Sequence, residues 1–297
     1  MIVNKTTLNS IFTNTKATFN KAFTAADSKW QLIAMRVPST TSVEDYAWLS
    51  NFPKMRKWIG EKFVKSLAAH KYSLKNDPYE ATVAVHKHQI ADDQIGFIGP
   101  QAEGAGESAK QWPDELVFDA VNKGTEVVCH DGQYFFDTDH PVAKTMVSNK
   151  FSLPLAIGTL AEAQASYGVV RTAMQNQKDE ENRPLNVIPG VLLVSANLQD
   201  TANVLMTADK LEDGKPNPYK GTAVVVMSPW LDDDAWYLLD TSKAVKPFVF
   251  QERERPQMIS LTDLNSDSVF STGEFQFSVE ARGAGGYGFW QLAFKGN

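Results

Sequence analysis

The chain has 297 residues with 43% hydrophobic and 22% charged content, the make-up of an ordinary folded protein with room for two modest domains or one elaborated one. A formal net charge of −6 excludes the basic footprint of a protein built to coat nucleic acid. A single cysteine excludes an internal disulfide framework and suits a reducing compartment.

The opening stretch, MIVNKTTLNSIFTNTKATFNKAF, lacks the unbroken apolar core of a signal peptide, and no run approaches the ~18–20 apolar residues that span a bilayer. A soluble cytosolic chain is expected. Leu8, Ile11, Phe12, Phe19 and Phe23 recur near a 3.6 spacing with Asn, Thr and Lys between them, which predicts an amphipathic helix with a narrow apolar stripe. Such a helix must dock, either on its own domain or on a neighbouring subunit.

From Trp30 to Tyr79 short apolar pieces alternate with turn residues and many basic side chains. HKYSLKNDPYEATVAVHKHQI reads as two extended pieces joined at Asn76-Asp77-Pro78. Long extended excursions with little apolar surface are awkward in a compact monomer and make sense when another subunit supplies contacts. In GFIGPQAEGAGESAKQWPDELVFDAVNKG, Asp114 is placed to cap a helix over ELVFDAV, and Gly124 to end it. The glycines upstream fit either a loop or a long, irregular helix.

Residues 150–245 alternate helix and strand. Thr159 and Glu162 form a capping box ahead of a stripe of Leu160, Ala163, Tyr167, Val170 and Met174. VLLV (191–194), TAVVVMS and AWYLLD read as strands, with a helix marked by Leu198, Ala202, Leu205 and Met206 between the first two. This is a compact α/β unit around a sheet. EFQFSVEARGAGGYGFWQLAF then predicts a hairpin: an alternating strand, a glycine-rich turn and an apolar final strand.

Candidate chemistry centres on CHDGQYFFDTDHP, residues 129–141. His130, Asp131, Asp137, Asp139 and His140 offer imidazole and carboxylate donors, the set that holds a divalent ion in a hydrolase. Asp131-Gly132 and Asp137 to Pro141 are equally what tight turns demand, with Tyr134, Phe135 and Phe136 packing between them. The expectation is a turn-rich strand pair with no ion between His130 and His140; a metal-dependent hydrolase is the alternative. His86 and His88 form an H-x-H pair on a strand, read as solvated. GAGGYG matches a dinucleotide fingerprint in letters only, since too little chain follows it for a helix and an acidic partner. No catalytic set emerges, and the profile suits a structural subunit.

WLSNFPKMRKWIGEK, KYSLKNDPYEATVAVHKHQIADDQIG, HDGQYFFDTDHP, NPYKG and GYGFWQLAF occur in that order. Together they resemble the major head subunit family of Mu-like bacteriophages and prophages, over nearly the whole chain. The resemblance implies an α+β fold of the Hong Kong-97-like phage capsid type. Its parts would be an N-terminal arm (1–35), an extended loop region (36–80), a peripheral domain with a spine helix (81–149), an axial domain (150–245), and C-terminal strands returning to the peripheral domain (246–297). It implies a virion protein that assembles in the host bacterial cytoplasm into hexamers and pentamers of an icosahedral head. Its partners would be copies of itself, a scaffold protein, a portal, a decoration protein and packaged double-stranded DNA held without sequence-specific binding. No membrane, cofactor, metal or catalytic residue is implied. Leu8, Ile11, Phe12 and Phe19 of the arm, and Lys54, Arg56, Lys57, Lys62 and Lys65 of the loop region, are the expected contacts between subunits. Another virion component, such as a tail-tube or decoration protein, is the remaining alternative.

Overall fold

The computed structural model describes residues 3–46, 49, 72–92, 96–155, 159–210, 214–231, 234–264 and 266–297. The first helix, α1 (Lys5–Ala25), is capped by Asn4, whose side chain accepts from the Thr7 amide. A single turn, α2 (Trp30–Ile33), leads into β1 (Ala34–Pro38) and β2 (Val43–Asp45). Next come β3 (Ser73–Lys75), β4 (Asp77–His86), the short helix α3 (Lys87–Ala91) and the long helix α4 (Ile98–Asn122). Small strands β5 (His140–Val142), β6 (Thr145–Val147) and β7 (Lys150–Phe151) precede α5 (Leu160–Gln175), β8 (Val191–Val194), α6 (Gln199–Thr207), β9 (Val224–Met227) and β10 (Trp236–Leu239). The chain closes with β11 (Phe248–Leu261), α7 (Asp267–Ser271), β12 (Glu274–Tyr287) and β13 (Ala293–Gly296).

Two sheets organise these elements. One has the order β1-β11-β12-β4, with β1 parallel to β11 and the rest antiparallel; α4 lies across it and α1 packs on α4. The other has the order β7-β13-β10-β8-β9 and carries α5 and α6. The all-apolar strands VLLV and WYLL are its buried centre, as expected for strands covered on both faces. One apolar core runs through both sheets, from Trp30 and Phe250 to Trp236 and Phe294. Each fully buried aromatic of this kind contributes about 1.5–3 kcal/mol relative to an exposed one.

Helix α4 runs without a break through Pro113, so Asp114 does not begin a helix. Proline disfavours the interior of a helix, but Ala102, Gly106, Trp112, Val117 and Val121 are buried along one continuous face, and that packing overrides the local preference. The Asp114 carboxylate instead caps a different element: it accepts from the amides of Trp30 at 2.6 Å and Lys29 at 2.9 Å, and from the Ser28 hydroxyl at 3.1 Å.

The glycine-rich stretch at 283–288 is likewise not a turn. Strand β12 continues through Gly283, Gly285 and Gly286, paired with β11. Glycine is required because α4 lies directly on the strand: a β-carbon at Gly285 would collide with the Leu116 carbonyl. The expected hairpin to the final strand is therefore absent, and β13 crosses to the other sheet, between β7 and β10.

Candidate functional site

The segment 126–151 lies where the two sheets meet. Gly132, with φ of 91°, makes the sharp turn that only glycine adopts readily, and the Cys129 amide donates to the Gln133 carbonyl across it. This places Phe135 and Phe136 inward. Phe135 stacks on Tyr287 of β12 (centroids 4.5 Å apart) and meets Phe248 of β11, while Phe136 meets Tyr237 of β10. Two adjacent aromatics thus join the sheets. Tyr134, expected to pack with them, is exposed.

Beside these rings sits a polar knot. His140 is fully buried; its Nδ1 lies 2.7 Å from Asp131 Oδ2 and its Nε2 lies 3.2 Å from Asn149 Oδ1. Asn149 is also fully buried. Its side-chain oxygen accepts from the Asp137 amide at 2.8 Å, and its amide nitrogen donates to the carbonyls of Phe135 at 2.8 Å and Ala293 at 3.1 Å. One side chain therefore ties the hairpin segment to the start of β13. The Cys129 thiol donates to Asp131 Oδ1 at 3.1 Å. Burial pushes the Asp131 carboxyl up, but the hydrogen bond and charge of His140, with the bonds from Cys129 and Gln133, outweigh it and leave the group below its ordinary value. Burial pushes the Cys129 thiol well up, helped by the Asp131 charge.

Of the five residues expected for a metal-dependent hydrolase, only Asp131 and His140 come together. His130 turns its ring edge to Phe289 at 5.8 Å, Asp139 is exposed, and Asp137 accepts from the Thr138 amide. Among the described residues, Cys129, Asp131 and His140 could share an ion, with ligand atoms within 4.8 Å of one another. Their donors and acceptors are already matched to each other, so the arrangement is that of a structural junction. Asn149 was not singled out from the sequence; an isolated Asn carries no signal until its carbonyl partners are known.

The two histidines of the H-x-H pair do not share a strand, although their rings stack with centroids 4.8 Å apart. His86 ends β4 and caps α3: its Nδ1 accepts from the His88 amide at 3.2 Å while Gln89 Oε1 accepts from the His86 amide at 3.0 Å. A second buried network anchors the base of the extended region. Tyr46 donates its hydroxyl to Gln251 Oε1, Gln251 Nε2 donates to Asn76 Oδ1, and Asn76 Nδ2 donates to Ser39 Oγ, each at 2.8 Å. Glu44 caps the same loop, and the amide of Thr40, the Ser39 hydroxyl and the amide of Thr41 hold its carboxyl down to about 2.

Leu8, Ile11 and Phe19 are buried within the chain, beneath α1 and against Phe275, Phe277 and Val279 of β12. Phe12 stacks on Phe277. The apolar stripe is thus covered at home, where the sequence left room for a neighbouring subunit; the four residues expected as subunit contacts hold α1 to its own chain. Lys54, Arg56, Lys57, Lys62 and Lys65 lie outside the described residues.

An α+β chain built on two main sheets, with a long helix on one of them, an inter-sheet junction and no converging catalytic set among the described residues, is what comparison with known proteins must account for. The family model described as Mu-like prophage major head subunit gpT matches residues 8–154, 155–231 and 232–297. The chain belongs to this family. The major capsid protein of Escherichia phage Mu is 29% identical over 293 residues, covering 99% of this chain and 74% of that protein. The Mu-like prophage FluMu major head subunit of Haemophilus influenzae is 31% identical over 284 residues, covering 96% and 71%. Among solved structures, a chain of the bacteriophage JBD30 procapsid aligns with a TM-score of 0.63 at 30% identity, covering 99% of this chain and 75% of that one. A virus-like particle from Pyrococcus furiosus aligns with a TM-score of 0.59 at 10% identity, covering 96% and 99%, which speaks to the fold alone. The fold is the Hong Kong-97-like capsid fold, and this Mu-like head subunit is a major capsid protein, a structural component of the phage head and not an enzyme.

Proposed function

We propose that this head subunit builds the icosahedral shell as hexamers and pentamers that enclose double-stranded DNA, with the work divided between its two sheets. In this reading the four-stranded sheet with α4 as its spine is the peripheral domain. The five-stranded sheet with α5 and α6, residues 150–245 together with β13, is the axial domain that meets its copies at the capsomer centre. The region 36–80 is the loop that reaches a neighbour, with its base fixed by Tyr46, Asn76 and Gln251, and 1–35 is an arm whose apolar stripe stays on its own chain. The observation that carries the reading is the alignment of 99% of the chain with a subunit from an assembled procapsid.

A net charge of −6 suits an inner surface that does not grip packaged DNA. Scaffold, portal and decoration proteins are the expected companions; a JBD30 capsid structure carries minor capsid protein trimers. Assembly takes place in the bacterial cytoplasm. Lys54, Arg56, Lys57, Lys62 and Lys65 form salt bridges between subunits in this scheme, and reversing all five charges should prevent shell formation. The deciding experiment is electron microscopy of the full chain co-expressed with its scaffold. Closed shells are the expected result; tubes would assign the chain to a tail, and wild-type protein that forms neither would overturn the reading.

A further inference from the structure

The tip of the β11–β12 hairpin carries a feature that the chain's own core does not use. Helix α7 is a single ordered turn, capped by Ser266, whose hydroxyl accepts from the Val269 amide, and stopped at Gly273 with φ of 73°. Successive helical residues point about 100° apart. Val269 is accordingly buried in the core while Phe270 stands 93% exposed. Single exposed apolar side chains are normal on a protein surface. This one is an aromatic held on a fixed helix, on a hairpin end that also exposes Ile259, Leu261 and Leu264.

Against the same tip lies an open pocket of about 280 Å³, walled by Val3, Ala91, Leu264, Val269 and Phe275 and rimmed by Lys87 and His88. A cavity of about 150 Å³ accommodates a benzene ring, so the pocket has room for a phenylalanine. Its own Phe270 does not fill it. The charges are complementary too: the exposed Asp267 lies one helical turn before the Phe270 knob on α7, and the exposed Lys87 and His88 flank the hole.

We infer that Phe270 of one copy of this chain plugs the Ala91–Leu264–Val269–Phe275 pocket of a neighbouring copy, with Asp267 of the first facing Lys87 of the second. The inference rests on the shell-forming reading above, because only a self-assembling chain presents both halves of such a contact to itself. Knob and hole are adjacent features of one tip; passed head to tail around a ring of copies, the contact is heterologous and closes where the rotation between copies returns to the start. Burying the ring removes an exposed aromatic from water, and the acid–base rim sets the register.

The test uses particles assembled from the full chain. Phe270→Asp should lower particle yield at least tenfold while leaving the thermal unfolding of the dissociated subunit unchanged, since the side chain is exposed in that subunit. Asp267→Lys and Lys87→Glu should each impair assembly, and the two together should restore it. A rim pair, Asp267→Cys with Lys87→Cys, retains Phe270 and should give a ladder of disulfide-linked multimers on a non-reducing gel; Cys129 is buried and adds no crosslink. Wild-type yield from Phe270→Asp, or intact particles in which the rim pair remains monomeric, would overturn the plug and leave the shell reading standing. Wild-type chains that form no particles would remove both.

Discussion

The imidazole of His140 lies flat on the indole of Trp290, with ring centroids 3.9 Å apart and planes 11° from parallel. Both ring nitrogens face oxygens, Asp131 Oδ2 at 2.7 Å and Asn149 Oδ1 at 3.2 Å. Trp290 lies in the link between β12 and β13, so this stack sits at the one place where the chain passes directly from the four-stranded to the five-stranded sheet at its C-terminal end. The family word that reads as a metallohydrolase in sequence is, in the fold, the fastening between the two halves of a capsid subunit.

Asn149 is the member of that fastening with the most partners. Asn149→Ala leaves the Asp137 amide and the carbonyls of Phe135 and Ala293 buried without the bonds they now make. A stranded buried polar group costs about 1–3 kcal/mol. Urea unfolding of the dissociated subunit should show a loss of about 3 kcal/mol. Asn149→Asp, which turns a donor into an acceptor against two carbonyls, should lose at least as much at neutral pH. A loss below about 1 kcal/mol in either variant would contradict the assignment.

His130 makes stability depend on pH. Burial holds its imidazole down to about 4 from 6.5, the His140 charge acts in the same direction, and Asp131 and the Gly288 backbone oppose them. The unfolded chain therefore takes up a proton that the folded chain refuses between those two values. The contribution is full above pH 6.5 and is lost as pH falls through that window toward 4. At about 1.4 kcal/mol per pKa unit the whole effect is on the order of 3 kcal/mol. His130→Phe, placed beside Phe289, should flatten the difference in urea midpoint between neutral and mildly acidic buffer. An unchanged pH profile would show that the ring titrates normally.

Much of the half built on the five-stranded sheet is legible in the sequence because its elements obey local rules. Thr159 caps α5, accepting from the Glu162 amide as the capping box predicts, and VLLV and WYLL are strands with the burial their composition suggests. The half built on the four-stranded sheet is less legible because long-range contacts override local signals there. Pro113-Asp114 looks like a helix start until the buried face of α4 is seen to run on both sides of it. GAGGYG looks like a turn until α4 is found lying on the strand. Turn chemistry at Asp131-Gly132 is readable, yet the buried roles of His140 and Asn149 are not, since they depend on carbonyls as far away as Ala293.

Cys129 should be chemically silent. Its thiol is buried, donates to Asp131, and is pushed well above the ordinary range by burial and that neighbouring charge, so almost none of it is thiolate near neutrality. Iodoacetamide at pH 8 should leave the native subunit essentially unlabelled and label it fully in urea. Rapid native labelling, read by mass spectrometry, would mean that the 126–151 segment opens without global unfolding.

Two glycines on one helix should respond in opposite ways. Gly104 and Gly106 both lie within α4, where glycine costs about 0.5–1 kcal/mol relative to alanine through its greater freedom in the unfolded chain. A β-carbon at Gly104 meets nothing within 4 Å, so Gly104→Ala should raise stability by about that amount. At Gly106 the same atom would lie 2.5 Å from the Phe19 carbonyl oxygen and 2.9 Å from the Ala22 β-carbon, both on α1. Backbone cannot yield as a flexible side chain does, so α1 must move off α4 and loosen the packing of Phe19 and Ile11 beneath it. Gly106→Ala should therefore destabilise by about 1–3 kcal/mol, the range for overpacking a close contact, and should make α1 a preferred site of limited proteolysis. Because Gly106 marks where α1 crosses α4, a neutral result there would mean that α1 does not rest on its own chain and that its apolar stripe is available to a neighbour after all.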